Sequence, residues 1–254
     1  VPGERSSAGD PARTLALLWR GAEPVPPPSR GPRPTLTVDR VVTVAVALAD
    51  AEGLAAVTMR RIATDLSVAP MTLYTYVPGK AELLDLMLDA VYAAIARTTP
   101  ADASWRARVG AVADDNRALY ERHPWLAEIS TSRPPLGPGA IAKYEYELGA
   151  FDDAGLDDVT RDAALTFVLG FVETCARGAA AARAAARESA RSDEDWWAES
   201  GPLLAKVFDA DRFPRAARIG SAAGEAQNAA YSADHAYDFG RARLLDGLSA
   251  LIDA

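Results

Sequence analysis

Residues 36–88 read LTVDRVVTVAVALADAEGLAAVTMRRIATDLSVAPMTLYTYVPGKAELLDLML, and this stretch decides the fold. Val42, Ala45, Val46 and Ala49 recur at i, i+3, i+4 and i+7, which lays one apolar stripe along a helix. Asp39 stands where an N-cap or first-turn acid belongs, and Gly53 where a glycine closes a helix. Thr58 is a good N-cap for a second, short helix whose inward positions are Ile62, Ala63 and Leu66. The SVAP of residues 67–70 breaks that helix. Pro70 suits the first position of a third one, where its missing N–H costs nothing. The third helix, PMTLYTYV, buries Leu73 and Val77. Pro78 and Gly79 then signal a turn. From Lys80 a long helix follows with Leu83, Leu84, Met87, Leu88, Val91 and Ile95 inside.

Two short helices joined by a tight turn, the second of them exposed, form a helix-turn-helix. The second helix must show its N-terminal half to a major groove, so side chains there should be small or hydrogen-bonding. Met71, Thr72, Thr75 and Tyr76 meet that requirement, while Leu73 points back into the bundle. Tyrosine hydroxyls reach phosphate oxygens well, and Tyr74 and Tyr76 flank Leu73. Lys80 adds an ammonium to the N-terminus of the next helix, a phosphate clamp. Such detail weighs against TLYTY being an aromatic patch of an ordinary core.

The stretch closely resembles the TetR DNA-binding domain. The helix-ending E-G-L, the T-M-R-R-I-A, the L-x-V-x-x-x-x-L-Y and the K-x-E-L-L all fall at that family's spacing. The resemblance implies DNA contacts at Arg60, Pro70, Met71, Thr72, Tyr74, Thr75, Tyr76 and Lys80. Arg60 is the first choice for a base edge, since arginine reads guanine bidentately. Thr72 and Thr75 suit a thymine methyl or a phosphate. Arg61 reads either as a DNA contact or as a surface salt bridge. Ala69 departs from the family's usual serine-like cap and should weaken the reading helix by about 1 kcal/mol.

Upstream, Pro24, Pro26, Pro27, Pro28, Pro32 and Pro34 forbid a helix and favour an extended arm. Arg30 and Arg33 sit on it, in SRGPRP at 29–34, and suit a minor groove or a phosphate run; the alternative is a plain linker. TLALLWR, residues 14–20, reads either as a short helix or as disorder. Net charge is −8 over 254 residues. Residues 1–29 are neutral, 30–80 carry +2 and 81–254 carry −10, a mildly basic reading end on an acidic body. No uninterrupted apolar run of about 18 residues occurs, so no membrane span is expected. The N-terminus lacks a secretory pattern, and Cys175, the single cysteine, reads as a buried structural thiol. The expected compartment is cytoplasmic.

Strand-period alternation is not sustained anywhere, so the fold class is all-α. The division is an N-terminal extension and arm at 1–37, a helix-turn-helix domain at 38–80 and a helical domain at 81–254. SWRARVGAVADDNRALYERHPWLAEISTSRPPLGPGAIAKYEYELGAFDDAGL, residues 104–156, and LTFVLGFVETCARG, residues 165–178, resemble the C-terminal domain of the tetracycline-repressor branch more loosely. That resemblance implies a ligand pocket and a homodimer whose four-helix bundle uses residues 160–180 and 234–252. It does not carry the branch's metal chelate. Where the histidines of that site fall, this chain has Ala94, Ile95 or Ala96, and Ile129. Glu173 alone holds no metal, and His123 reads as a helix-end cap. No metal or cofactor is therefore expected. The pocket candidates are Leu88, Tyr92, Trp125, Ile129, Tyr144, Phe167, Phe171 and Thr174, against the alternative that these aromatics are core. The arginines at 177, 183, 187 and 191 read as a solvated face, and Asp193, Glu194 and Asp195 as a solvated loop.

An enzyme is the competing class, but no glycine-rich phosphate loop, zinc-ligand spacing or nucleophile motif occurs. A second competitor is a helical binding protein that no longer touches DNA; Arg60, Tyr74 and Lys80 together speak against it. The reading is a transcription regulator with double-stranded operator DNA and a small-molecule effector as partners. It is expected to be a repressor released by that effector. A symmetric dimer presents two reading helices, so the operator should be an inverted repeat with half-site centres about one helical turn apart or a multiple. Footprinting checks this; protection of a single asymmetric site by a monomer would refute it.

Overall fold

The computed structural model describes residues 4–21, 36–98, 103–227, 229 and 231–253. The described residues form eleven α-helices with two short 3-10 turns and one isolated backbone bridge, Arg5 to Ser130. The chain divides into two compact units, Val1–Leu169 and Gly170–Ala254.

The first unit begins with α1 (Pro11–Leu18), capped by the Asp10 carboxylate on the Arg13 amide. Residues 14–20 thus belong mostly to a helix, and Leu18 is buried against the main core. α2 (Val38–Glu52) is capped by Thr37, whose hydroxyl accepts from the Arg40 amide. The expected cap, Asp39, lies instead in the first turn, where its charge suits the helix dipole. α2 ends at Gly53, whose φ of 85° only glycine adopts without strain. After a 3-10 turn at Leu54–Ala56 come α3 (Met59–Asp65), capped by Thr58, and α4 (Pro70–Tyr76), which starts on Pro70. The bend between them turns on Ser67, at φ 56°.

α5 (Lys80–Ala93) follows directly. It stops short of the expected length: Ala94 caps it, and Ile95 is buried just beyond the helix. Leu83, Leu84, Met87, Leu88 and Val91 are inside as expected, but Glu82, Asp85 and Asp89 are buried too. An amphipathic pattern would give these three acids a solvent face. Here each accepts a backbone amide from elsewhere: Asp10 N to Glu82 at 3.4 Å, Ser7 N to Asp85 at 2.8 Å and Ala140 N to Asp89 at 2.8 Å. α6 (Trp105–Arg122) leads into a 3-10 turn at Pro124–Glu128, and α7 (Pro138–Gly149) packs along α5. The close approach of α7 depends on Gly139, where a Cβ would collide with the Asp89 carbonyl oxygen.

α8 (Asp158–Ser189) begins in the first unit and ends in the second. It is long and apolar enough, by length and composition alone, to cross a membrane, although no uninterrupted apolar run was expected. The second unit continues with α9 (Asp193–Val207), α10 (Pro214–Gln227) and α11 (Ala233–Ile252). Asp193, Glu194 and Asp195, expected in a loop, form the first turn of α9. Ser192 caps it, and the acids complement the positive end of the helix. Cys175 is half-buried rather than enclosed. Phe171 stacks on Tyr237 at 5.7 Å, and Leu244, Leu245 and Leu248 are the inward positions of α11.

Burial raises the pKa of Asp85 and of Asp89 above the ordinary carboxylate value; the amides they accept only partly offset it. One oxygen of Asp85 has no hydrogen-bond partner among the described residues. A carboxyl whose folded pKa is raised holds its proton more tightly when folded. Stability is therefore lost as pH rises from the unfolded value near 4 through the raised folded value. Thermal melts across that range should show the midpoint falling with pH, and Asp85→Asn should make the fall shallower. An unchanged slope would show that Asp85 does not carry the effect.

Candidate DNA-reading and effector sites

The reading head is assembled by α2, α3 and α4. Val41, Val42, Ala45, Ile62 and Ala63 close the space between α2 and α3, and Leu73 and Val77 are each fully enclosed. That inward face fixes the outward one. Pro70, Met71, Thr72, Tyr74 and Thr75 are exposed, Met71 at 74%, and Tyr76 is half-buried against the core. Ala69 offers no side-chain cap. Thr75 returns its hydroxyl to the Thr72 carbonyl at 2.6 Å, which uses the donor inside the helix until a partner arrives.

Adjacent arginines separate cleanly. Arg61 is forked between two acids, with Nη2 2.7 Å from Glu52 and Nε 3.1 Å from Asp65. Those hydrogen bonds, Glu52 first, raise its pKa further. Arg60 is exposed and in no ion pair among the described residues, so its guanidinium is available to a base edge. Lys80, half-buried at the start of α5, lies 2.7 Å from Glu4. Arg30 and Arg33 lie outside the described residues.

The pocket candidates are divided between the two units, and those of the first unit differ in burial. Leu88, Trp125 and Ile129 are all within the main core, and Tyr92 packs against it. Tyr144 is exposed and donates to Asp162 at 2.7 Å, which together with desolvation raises its pKa. Phe167 is 58% exposed on α8. Phe171 and Thr174 belong to the second unit, where Phe171 is occupied by Tyr237 and Thr174 is exposed. A cleft of about 520 Å³ exists elsewhere in the first unit, between Leu18, Trp19, Leu86, Ala90, Ala93 and Pro138, and includes none of the eight.

Polar groups that the sequence did not single out lie between α5, α6 and α7. The Lys143 ammonium is 2.6 Å from Glu147 and 5.3 Å from the centre of the Tyr92 ring. Asn116 donates to the same Glu147 oxygen at 2.6 Å. Lys143, Asn116 and Glu147 are all buried. Beside them Asp115 accepts from Thr98 and from the Tyr146 hydroxyl, each at 2.7 Å. A buried ion pair is a poor source of stability compared with apolar packing. The i, i+4 spacing of Lys143 and Glu147 was the available signal, but it reads equally well as a surface pair.

One tie joins the reading head to the helices behind it. Asp50, near the end of α2, offers a single carboxylate oxygen to both His123 Nδ1 at 2.8 Å and Trp125 Nε1 at 2.7 Å. His123 is also the C-cap of α6, as its position in RHPW implied. Trp125 thus has two roles: its ring fills the core, and its indole N–H holds Asp50.

The bacterial regulatory proteins of the tetR family match residues 41–87, and the tetracyclin repressor-like C-terminal domain matches residues 99–252. The chain belongs to the TetR family. It is a DNA-binding transcription regulator, with the reading head and the helical C-terminal domain in one chain. It is similar to the HTH-type transcriptional repressor DrrR1 of Streptomyces coeruleorubidus, 43% identical over 98% of this chain and 89% of that one. It is also similar to an HTH-type transcriptional regulator of Saccharopolyspora erythraea, 33% identical over 70% and 78%. Among solved structures, ActR of Streptomyces coelicolor in complex with actinorhodin superposes with a TM-score of 0.72 at 28% identity, over 85% of this chain and 97% of that one.

The two arginines give a direct test. Arg60→Ala should lower operator affinity by about 1–3 kcal/mol and relax preference at one base pair per half-site. Arg61→Ala should leave base preference intact. Binding to a library of single-base operator variants reads both, and equal loss of preference in the two variants would reject the assignment.

Proposed function

We propose that this regulator is a repressor that holds an inverted-repeat operator as a homodimer and releases it when a small molecule binds the C-terminal domain. The observation that carries the DNA half is the geometry of α4. Leu73 and Val77 are locked inside, so the faces bearing Thr72, Tyr74 and Thr75 turn outward, and Arg60 is exposed. Arg60, Pro70, Met71, Thr72, Tyr74, Thr75, Tyr76 and Lys80 are the proposed contacts. The functional division is an extension at 1–37, a reading head at 38–80 and an effector and dimerisation body at 81–254. Exposed Phe239 and Leu251 on α11 suit burial against a second copy. No catalysis is assigned. The compartment proposed is cytoplasmic, where operator DNA is met; α8 falls within the matched C-terminal domain, which supports a globular rather than a membrane role for it.

For the effector, the favoured site is the region around Tyr92, which packs against the core holding Leu88, Trp125 and Ile129 and faces the Lys143 ammonium of the Lys143, Glu147 and Asn116 group. It suits a molecule with a flat apolar body and hydroxyl or carbonyl groups, which is a more polar ligand than the sequence alone suggested. ActR's complex with actinorhodin supports a small-molecule effector. The Asp50 tie is the proposed route to the reading head. A ligand that displaces Trp125 or the end of α6 pulls on α2, and α4 then misses its groove. To act as a switch the ligand must favour the DNA-incompetent state by about 1–3 kcal/mol or more.

Mobility shifts with the upstream DNA, titrated with actinorhodin and with a panel of hydroxylated aromatics, test this reading. A member of the panel should release the native protein from DNA. Trp125→Phe keeps an aromatic ring in the core, though a smaller one, and removes the N–H to Asp50. It should bind operator within about 3-fold of native yet need roughly ten times more effector for release, the loss of one charge-assisted hydrogen bond. Release at the native concentration would break the link between the tie and the switch. Tighter DNA binding with effector would reverse the sign of regulation.

A further inference from the structure

We propose that Glu4 is a built-in stand-in for a DNA phosphate. The N-terminal strap holds Lys80 in an ion pair away from DNA, and operator binding must take the ammonium from it. The inference rests on Lys80 being a phosphate contact and goes beyond it by assigning a role to the extension.

Residues 4–21 are fastened along α5 and the segment before α7 by groups other than the Glu4 side chain. The Ser6 amide donates to the Ser130 carbonyl at 3.1 Å, and the Ser130 amide donates to the Glu4 carbonyl at 2.9 Å. The Ser6 hydroxyl reaches the Ser130 and Arg133 carbonyls, and the Ser7 amide reaches Asp85. Further on, Leu18 is buried, the Trp19 indole N–H donates to the Leu136 carbonyl at 2.8 Å, and Arg20 pairs with Asp39. Backbone bonds thus set the position of Glu4, and its carboxylate arrives 2.7 Å from the Lys80 ammonium. Both side chains remain partly open to water, so a phosphate can approach and exchange with the carboxylate.

The exchange is balanced in charge: Lys80 has one anionic partner before and after. Released Glu4 then stands near the DNA backbone and must recruit a cation from solution, which cancels part of the counterion release that favours binding. The penalty is the same for every sequence. It lowers occupancy of random DNA without altering base preference. An exposed pair of this kind shifts an equilibrium by about two- to five-fold.

The test is operator and random-DNA affinity over a series of salt concentrations for the native chain, Glu4→Gln, Lys80→Ala and the double variant. Glutamine keeps the size of the side chain and the backbone fastening. Glu4→Gln should bind both DNAs about two- to five-fold more tightly per protomer, with a salt slope steeper by up to about one ion. Lys80→Ala should bind more weakly with a flatter slope, and the double variant should match Lys80→Ala. If Lys80→Ala weakens binding but Glu4→Gln behaves as native, the strap does not compete and the proposal fails alone. If Glu4→Gln tightens binding equally without Lys80, overall charge is the cause and the proposal fails. If Lys80→Ala behaves as native, Lys80 contacts no phosphate and both readings fail together.

Discussion

The enclosure of α5 is the constraint on which the first unit depends. Every residue from Glu82 to Asp89 is out of solvent, acids included. A helix in that position cannot leave carboxylates unsolvated without giving them donors, because an unpaired buried charge costs several kcal/mol. The donors come from both flanks: amides of the N-terminal strap reach Glu82 and Asp85, and the start of α7 reaches Asp89. The same helix begins at Lys80, beside the reading helix, and runs back to Tyr92, against Lys143. One element therefore connects Lys80, the proposed phosphate contact, to the polar group proposed for the effector.

The reading head obeys a different logic. Its outward chemistry follows from its inward packing. Once Ile62, Leu73 and Val77 are enclosed, the alternate faces of two short helices have nowhere to turn but to solvent. Between Arg60 and Arg61, one position apart, acid geometry decides. Glu52 closes α2 and Asp65 lies one turn along α3, and both converge on Arg61. Exposed ion pairs of this type add little stability, but they occupy the Arg61 guanidinium while Arg60 stays exposed.

The effector region was less legible. Aromatic residues at helical spacing report burial, not company. Leu88, Trp125 and Ile129 lie in the main core and Tyr92 packs against it, but Tyr144 and Phe167 turn out to solvent, and Phe171 is stacked on Tyr237. Nothing local marks Asp50 as a ligand for two rings, since His123 and Trp125 lie more than seventy positions away. The burial of Asp85 and Asp89 is equally invisible along the chain. Next to leucines on an amphipathic helix an acid belongs to the wet face, unless a distant segment covers it.

By itself the sequence determined the helices of the reading head, the caps at Thr58 and Gly53, the start of α4 on Pro70, the enclosed Leu73 and Val77, and the outward side chains of Met71, Thr72 and Thr75. All of these are set by interactions within a few residues, where spacing fixes which side chains share a face. Only the tertiary structure decided that α1 forms part of a strap over α5, that Glu4 meets Lys80, that Asp50 holds His123 and Trp125, and that Lys143, Glu147 and Asn116 are buried together. Those pairings join segments far apart in the chain. They depend on which surfaces exclude water from one another, and no periodicity along a single helix records that.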